Sequence, residues 1–376
     1  MKVVFNSFRG LYSDSPRTIF EALLERGDTH DHVWLSRPER VGDFPADVTT
    51  VDFGSAEARA ALESADVVVS NDHIGFDWDK QPGTVYLQTW HGTPLKRIHN
   101  DVLWAPEGRL AYLDTEIARW DALLSPNAAS TPRFRKAFGF TGPVHETGYP
   151  RNDVLSSPDR NRIRAQVRAQ LGIADGVTAV LYTPTWRDDL VFAEDGGPQH
   201  TFPLDLADFA TALGEDHVLL LRLHQMVSDR LELGEGSPVL DVSAYPDIRY
   251  LYLAADVLVT DYSSTMFDFA VTGKPILNFT YDLDYFQDTL RGFYFDLAEA
   301  APGPLLATSD EVLAAIAELA REPWRPTPAY TRFRETFCSL EDGHATERVL
   351  DLFFPPTGHP GRPDDTPPYE NEETRR

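Results

Sequence analysis

Two successive runs of alternating strand and helix patterns constrain this chain more than any other feature. The apolar runs KVVFNSF, HVWLS, VTTVDF, DVVVSN and TVYLQTW are interleaved with helix-patterned stretches such as SPRTIFEALLER and AEARAALESA, and DALLSPN, TPRFRKAFGF and VHETG continue the series. After YPRNDVLSSPDRNRIRAQVRAQLG, which reads as a turn and an Arg-rich amphipathic linker helix, the alternation restarts. VTAVLYTPTW, HVLLLRLH, DVLVTDY and PILNFTYDLDYF now alternate with FPLDLADFATAL and STMFDFAVTG. Such alternation builds a largely parallel sheet with helices on both faces. Short, continuously apolar strands are what a sheet buried on both faces requires. The expectation is an α/β chain of two doubly wound Rossmann-like domains facing a central cleft. They span residues 1–155 and 156–354, with helices near TSDEVLAAIAELA, YTRFRETF and HATERVLDLFF closing the second domain and a disordered Pro-rich tail over 355–376. A length of 376 residues at 42% hydrophobic content supports two cores rather than one.

Composition narrows the function. The formal net charge of -25 opposes bulk attraction to nucleic acid or to an anionic membrane. A phosphate-bearing ligand must therefore meet a local cluster of cations, whose field is shielded from distant charges beyond about 8 Å at physiological salt. A single cysteine, Cys338, forms no internal disulfide. No apolar run has the length of a membrane span, and MKVVFNSFRG enters a strand pattern directly. The expected location is the cytoplasm, at most at the inner face of the cell membrane. No carboxylate group at metal-ligand spacing stands out beyond Asp188, Asp189 and Asp261, so neither a metal nor a cofactor is expected.

Open parallel sheets bind ligands at the carboxyl ends of their strands. The first strand runs into NSFRGLYSDSP rather than G-x-G-x-x-G, which removes the main support for a dinucleotide site. In LQTWHGTPLKR a strand halts at His91, and Thr93 and Pro94 read as the cap and first residue of a helix. Lys96 and Arg97 would reinforce an anion site at that helix terminus, with His91 as a base. A capped helix beside a hydrogen-bonded core histidine reads equally well. In HVLLLRLH, Arg222 and His224 share one side of a strand end, as a phosphate edge or as a plain surface pair. In DVLVTDYSSTMFDF, Ser263, Ser264 and Thr265 open a helix and could cradle phosphate, or Ser263 or Ser264 could simply cap it. Asp268, about one turn on, could accept from a ribose. YTPTWRDD places Arg187 after a strand, and TGYPRND places Arg151, Asn152 and Asp153 in a turn that reads equally as an interdomain connection.

Taken in order, WHGTPLK, TGYPRND, YTPTWRDD, LRLH and VTDYSSTMFDF followed by GKPIL resemble the CDP-glycerol glycerophosphotransferase family of teichoic acid primases and polymerases, with coverage from about Val3 to Phe354. The resemblance implies a glycosyltransferase-B type fold. It also implies transfer of glycerol phosphate from CDP-glycerol to a hydroxyl of a polyol-phosphate, glycan or lipid-linked acceptor, with release of CMP. Carried over, His91 is the family's base and His224 lies near the donor pyrophosphate, so both are catalytic candidates. Arg187, Arg222, Ser263, Ser264, Thr265 and Asp268 fall to the donor, with Lys96, Arg151, Asn152 and Asp153 as secondary candidates. The acidic charge and the lack of a long basic extension ahead of the first strand set the expectation away from long-chain polymerisation and direct membrane docking. A CDP-ribitol transferase, a nucleotide-sugar glycosyltransferase and a sugar-nucleotide binding module remain as alternatives.

Overall fold

The computed structural model describes residues 1–103, 112–185, 203–223 and 236–355. Its first sheet has seven strands: β1 (Lys2–Asn6), β2 (Asp31–Ser36), β3 (Thr49–Asp52), β4 (Val67–Ser70), β5 (Val85–Gln88), β6 (Ala122–Ser125) and β7 (Val144–Glu146). The order is β3-β2-β1-β4-β5-β6-β7, with every pairing parallel. The second sheet has six: β8 (Thr178–Thr183), β9 (His217–Leu221), β10 (Val239–Asp241), β11 (Val257–Thr260), β12 (Ile276–Phe279) and β13 (Leu305–Leu306). Its order is β10-β9-β8-β11-β12-β13, again all parallel. Both sheets are therefore doubly wound, as the alternation predicts, and each reverses its strand order once: between β1 and β4, and between β8 and β11.

The period of two is visible in the packing. Val3, Phe5, Val67, Val69, Val85 and Leu87 face one core with Ile19 and Phe20, while Val4, Val68 and Tyr86 face another with Ala58 and Leu62. In the second lobe Ala179, Leu181, Leu220 and Leu258 lie on one side, and Val180, Leu219, Leu221 and Val259 on the other. The Arg-rich helix Arg160–Gln170 docks on the second lobe through its cations. Arg164 donates to the carbonyls of Leu253, Ala254 and Ala255, and both Arg164 and Arg168 pair with Asp256.

Two strands go beyond the sequence pattern, and one local expectation changes. β10 and β13, of three and two residues, are too short to leave a pattern in the sequence. The last described helix, Ala345–Phe353, does not close the second lobe. Its apolar stripe of Val349, Leu350 and Phe353 fills the first lobe's core beside Val3, Phe5 and Phe20. Residues 356–376, expected to be a disordered tail, lie outside the described residues. Among the described residues no helix is long and apolar enough to cross a membrane.

Candidate active site

The loop after β5 meets the turn after β11 where Gly92 approaches Ser264, and the side chains around these strand ends form the candidate site. Beyond β5 the chain turns through Trp90 in a left-handed conformation, φ 54°, which a bulky residue adopts only when its surroundings enforce it. Trp90 N–H donates to Gln88 Oε1 at 2.9 Å, and its ring packs on Phe138 and stacks on His91 with centroids 4.2 Å apart. His91 also meets the ring of Phe8, with centroids 5.4 Å apart. Its Nδ1 lies 2.6 Å from the Asn71 carbonyl at the end of β4. A carbonyl only accepts, so Nδ1 carries the hydrogen and Nε2 is left with its lone pair. An oriented imidazole with a basic Nε2 is what proton removal from a hydroxyl requires.

The helix expected from Thr93 does not form. Leu95, 1% exposed, is drawn into the second lobe's core. Lys96 forms an antiparallel bridge with Phe293, Arg97 N–H donates to Gly292, and Tyr294 N–H donates to Leu95. Pairing with the other lobe outweighs the local capping signal, so Lys96 is an interlobe residue and the helix terminus expected at Thr93 is absent from the described residues.

Gly92 instead meets the second lobe directly. A Cβ built there would lie 2.8 Å from Ser264 Oγ and 3.0 Å from Ser264 Cβ. Only a residue without a side chain lets the His91 corner sit this close to the Ser263–Thr265 turn. Gly92→Ala is expected to lower turnover by roughly one to two orders of magnitude through misplacement of His91. Adding Ser264→Gly, which clears both contacting atoms, should recover part of it, and single-turnover rates of the single and double variants check this. Equal rates in wild type and Gly92→Ala would show that the contact is not needed.

The turn is built from hydroxyls. Thr183, Thr260 and Thr265 lie in mutual contact, with Oγ1 pairs 2.9–3.3 Å apart. Asp261 accepts from the N–H groups of Thr185 and Tyr262, which fixes the end of β8 against the end of β11. Ser263 Oγ accepts from Thr265 N–H at 3.3 Å. Ser264 stands at the cap position of the helix Thr265–Val271 with no side-chain cap bond, and its hydroxyl faces Gly92. Arg187 and His224 lie outside the described residues. Arg222 does not line a phosphate edge: its guanidinium donates to the carbonyls of Val242 and Tyr245 at 3.1 and 2.8 Å, bracing the loop after β10.

Asp268 is not brought to the nucleotide position expected of it. It is buried, with one oxygen accepting from Arg151 Nη2 at 2.8 Å and the other from Asn152 Nδ2 at 2.9 Å. Arg151 Nη1 reaches Asp14 at 2.9 Å, so one guanidinium ties the first helix of the first lobe to the Thr265 helix of the second. Burial alone would lower the Arg151 pKa, but the two carboxylates push it up and the cation persists. Asp153 accepts from Ala345 N–H and Thr346 N–H, holding the start of the last helix. The TGYPRND turn is thus an interlobe lock, the plainer of its two readings.

Glu341 completes that lock. Burial, then the charge of Asp268, pushes its carboxyl up to about 8. Tyr149 N–H donates to its Oε1 at 3.1 Å, while Oε2 and the neighbouring Asn152 Oδ1 are both buried without a hydrogen bond. A carboxyl whose folded pKa lies above its unfolded value of about 4.3 stabilises the fold fully below that value and loses its contribution as pH rises toward the folded pKa. Glu341→Gln should therefore melt at a higher temperature than wild type at pH ~8 and lose that advantage by pH ~5. Equal advantage at both pH values would place the proton elsewhere.

Asn71, Phe8 and Arg9 were not singled out in the sequence. Phe8 and Arg9 both adopt positive φ in the loop after β1, and the half-exposed Arg9 guanidinium lies 3.2 Å from Asp72. The one available signal was NSFRG at the end of the first strand, where a doubly wound sheet places ligand-contacting groups.

Comparison with known proteins bears on this arrangement. Residues 1–355 match the family described as CDP-glycerol:poly(glycerophosphate) glycerophosphotransferase. The teichoic acid glycerol-phosphate transferase of Staphylococcus aureus is 39% identical over 364 residues, covering 94% of this chain and 92% of that protein. The teichoic acid poly(glycerol phosphate) polymerase of Bacillus subtilis is 36% identical over 94% of this chain, which spans only 48% of that longer protein. The crystallised wall teichoic acid polymerase TagF superposes with a TM-score of 0.84 at 35% identity, over 93% of this chain and 87% or more of that one. A ribitol-phosphate polymerase of S. aureus, TarL, is more distant, at 28% identity over 59% of this chain.

Proposed function

The chain belongs to the CDP-glycerol:poly(glycerophosphate) glycerophosphotransferase family, and from that premise we propose that it transfers glycerol phosphate from CDP-glycerol to a hydroxyl of a teichoic-acid-like polymer or its lipid-linked primer, releasing CMP. The observation that carries this reading is the contact between Gly92 and Ser264, which sets an oriented imidazole from one lobe against a hydroxyl-rich turn from the other. In the proposed reaction the acceptor hydroxyl gives its proton to His91 Nε2 as its oxygen bonds to the β-phosphorus, and the bond from that phosphorus to the CMP oxygen breaks. The Ser263, Ser264 and Thr265 turn meets the charge on the two phosphates, with Arg187 and His224 supplying cationic or proton-donating groups in keeping with the family resemblance. Positioning and electrostatics of this kind carry most of phosphoryl transfer. Donor binding falls to the second lobe. Acceptor binding falls to the first, where Arg9 is a cation for an acceptor phosphate. The site of action in this reading is the cytoplasm, with acceptor met at the inner membrane face.

Glycerol is preferred over ribitol because the glycerol-phosphate relatives match at higher identity and over more of the chain. CMP release measured with CDP-glycerol, CDP-ribitol and UDP-sugars under one set of conditions tests the assignment. Fastest release from CDP-glycerol is expected. Faster turnover of CDP-ribitol or of a UDP-sugar would replace it.

A further inference from the structure

At the amino ends of the strands, opposite the cleft, lies a side-chain cluster that the transfer reaction does not use. Gly27, at φ 75°, ends the first helix, and the chain enters β2 through Asp28, Thr29, His30, Asp31 and His32. Asp28 folds back on the turn, accepting from His30 N–H at 2.7 Å, and a carboxylate oxygen lies 2.6 Å from His30 Nδ1. His32 Nε2 points into the same space, 3.4 Å from the carboxylate. We propose that Asp28, His30 and His32 bind a divalent transition-metal ion of the zinc class.

Geometry, burial and ligand chemistry support the assignment. One ligand atom from each residue lies within 4.8 Å of the others, whereas bonds of about 2.0–2.2 Å around a tetrahedral ion place ligand atoms about 3.3 Å apart. Shifts of a fraction of an ångström to about one ångström complete the set. His32 is held between Phe5 and Phe20, with ring centroids 5.9 and 5.3 Å away, and its side chain is only 8% exposed. Its Nε2 is buried and makes no hydrogen bond. A buried imidazole nitrogen with no hydrogen bond, 3.4 Å from a carboxylate that also meets a second imidazole, offers its lone pair to a cation shared by all three side chains. His30, at 21% exposure, leaves a route for the ion and a position for water. Two imidazoles with one carboxylate suit Zn2+ and its neighbours, not Mg2+ or Ca2+, which take oxygen-rich shells. The cluster joins the end of the first helix to the start of β2, so the ion would staple the first lobe and take no part in catalysis.

The test is direct metal titration of the full chain after removal of ions with a chelator, using Zn2+ for calorimetry and Co2+ for its visible absorption. Wild type is expected to bind one equivalent tightly, to melt at a higher temperature with Zn2+, and to give the intense bands of a tetrahedral Co2+ site. His30→Ala and His32→Gln should each weaken binding by about a hundredfold or more. His30→Ala should leave CMP release in the chelated protein unchanged, which separates this site from the transfer reaction. Equal affinity in wild type and both variants would put the ion elsewhere, and failure of wild type to bind either ion would overturn the proposal.

Discussion

His91→Ala is expected to reduce CMP release by about two to four orders of magnitude, the usual effect of removing a general base. Binding of CDP-glycerol should stay within about threefold of wild type, because nothing assigns His91 to the donor. The geometry supports the split. The Nδ1–H group is held by the Asn71 carbonyl and the ring contacts those of Trp90 and Phe8, which leaves Nε2 for the proposed proton transfer. In the proposed reaction, loss of that nitrogen removes a group needed only as the acceptor hydroxyl loses its proton. Single-turnover rates at saturating CDP-glycerol, set beside donor affinity from calorimetry, check the assignment: the variant should lose rate and keep affinity. A variant that keeps the rate would remove His91 from the base role. A variant that merely melts earlier, with full activity below its midpoint, would make it a packing residue.

Arg151→Met should cost about 3–5 kcal/mol of folding stability, because it leaves Asp14 and Asp268 buried with no counter-charge. Urea unfolding reads this as a lower midpoint, with the slope reporting whether the two lobes still unfold together. Combining it with Asp14→Asn and Asp268→Asn should recover much of the loss, since the carboxylates are then no longer unpaired charges. Activity should fall with Arg151→Met even where the chain is folded. The same guanidinium fixes the Thr265 helix relative to the first lobe, and with it the Ser264 turn that faces Gly92. A stability change under ~1 kcal/mol would show that the network is solvated rather than buried.

The sequence carried the two sheets because strand and helix periods repeat wherever an apolar run must be buried on both faces. It also marked the strand-end corners, since a doubly wound fold presents its ligand-contacting residues there. Long-range pairing was what it could not carry. The capping signal at Thr93 is sound locally, yet Leu95 gains more by burial in the second lobe than a short helix would provide. Asp268 and Arg222 are polar residues near a presumed ligand in sequence, but in space they face Arg151 and a set of loop carbonyls. The apolar stripe of the last helix does not state which core it fills, and the chain returns it to the first lobe. The contact of Gly92 with Ser264 joins residues far apart in the chain and leaves no local trace beyond the glycine itself.

The most direct test of the account follows the glycerol moiety. CDP-glycerol carrying a labelled glycerol is incubated with the enzyme and a glycerol-phosphate primer, and CMP and labelled product are quantified together. One labelled glycerol phosphate is expected in the primer for each CMP released, with both lost in His91→Ala. CMP released without label entering the primer, or label transferred as glycerol without its phosphorus, would contradict attack of the acceptor hydroxyl on the β-phosphorus.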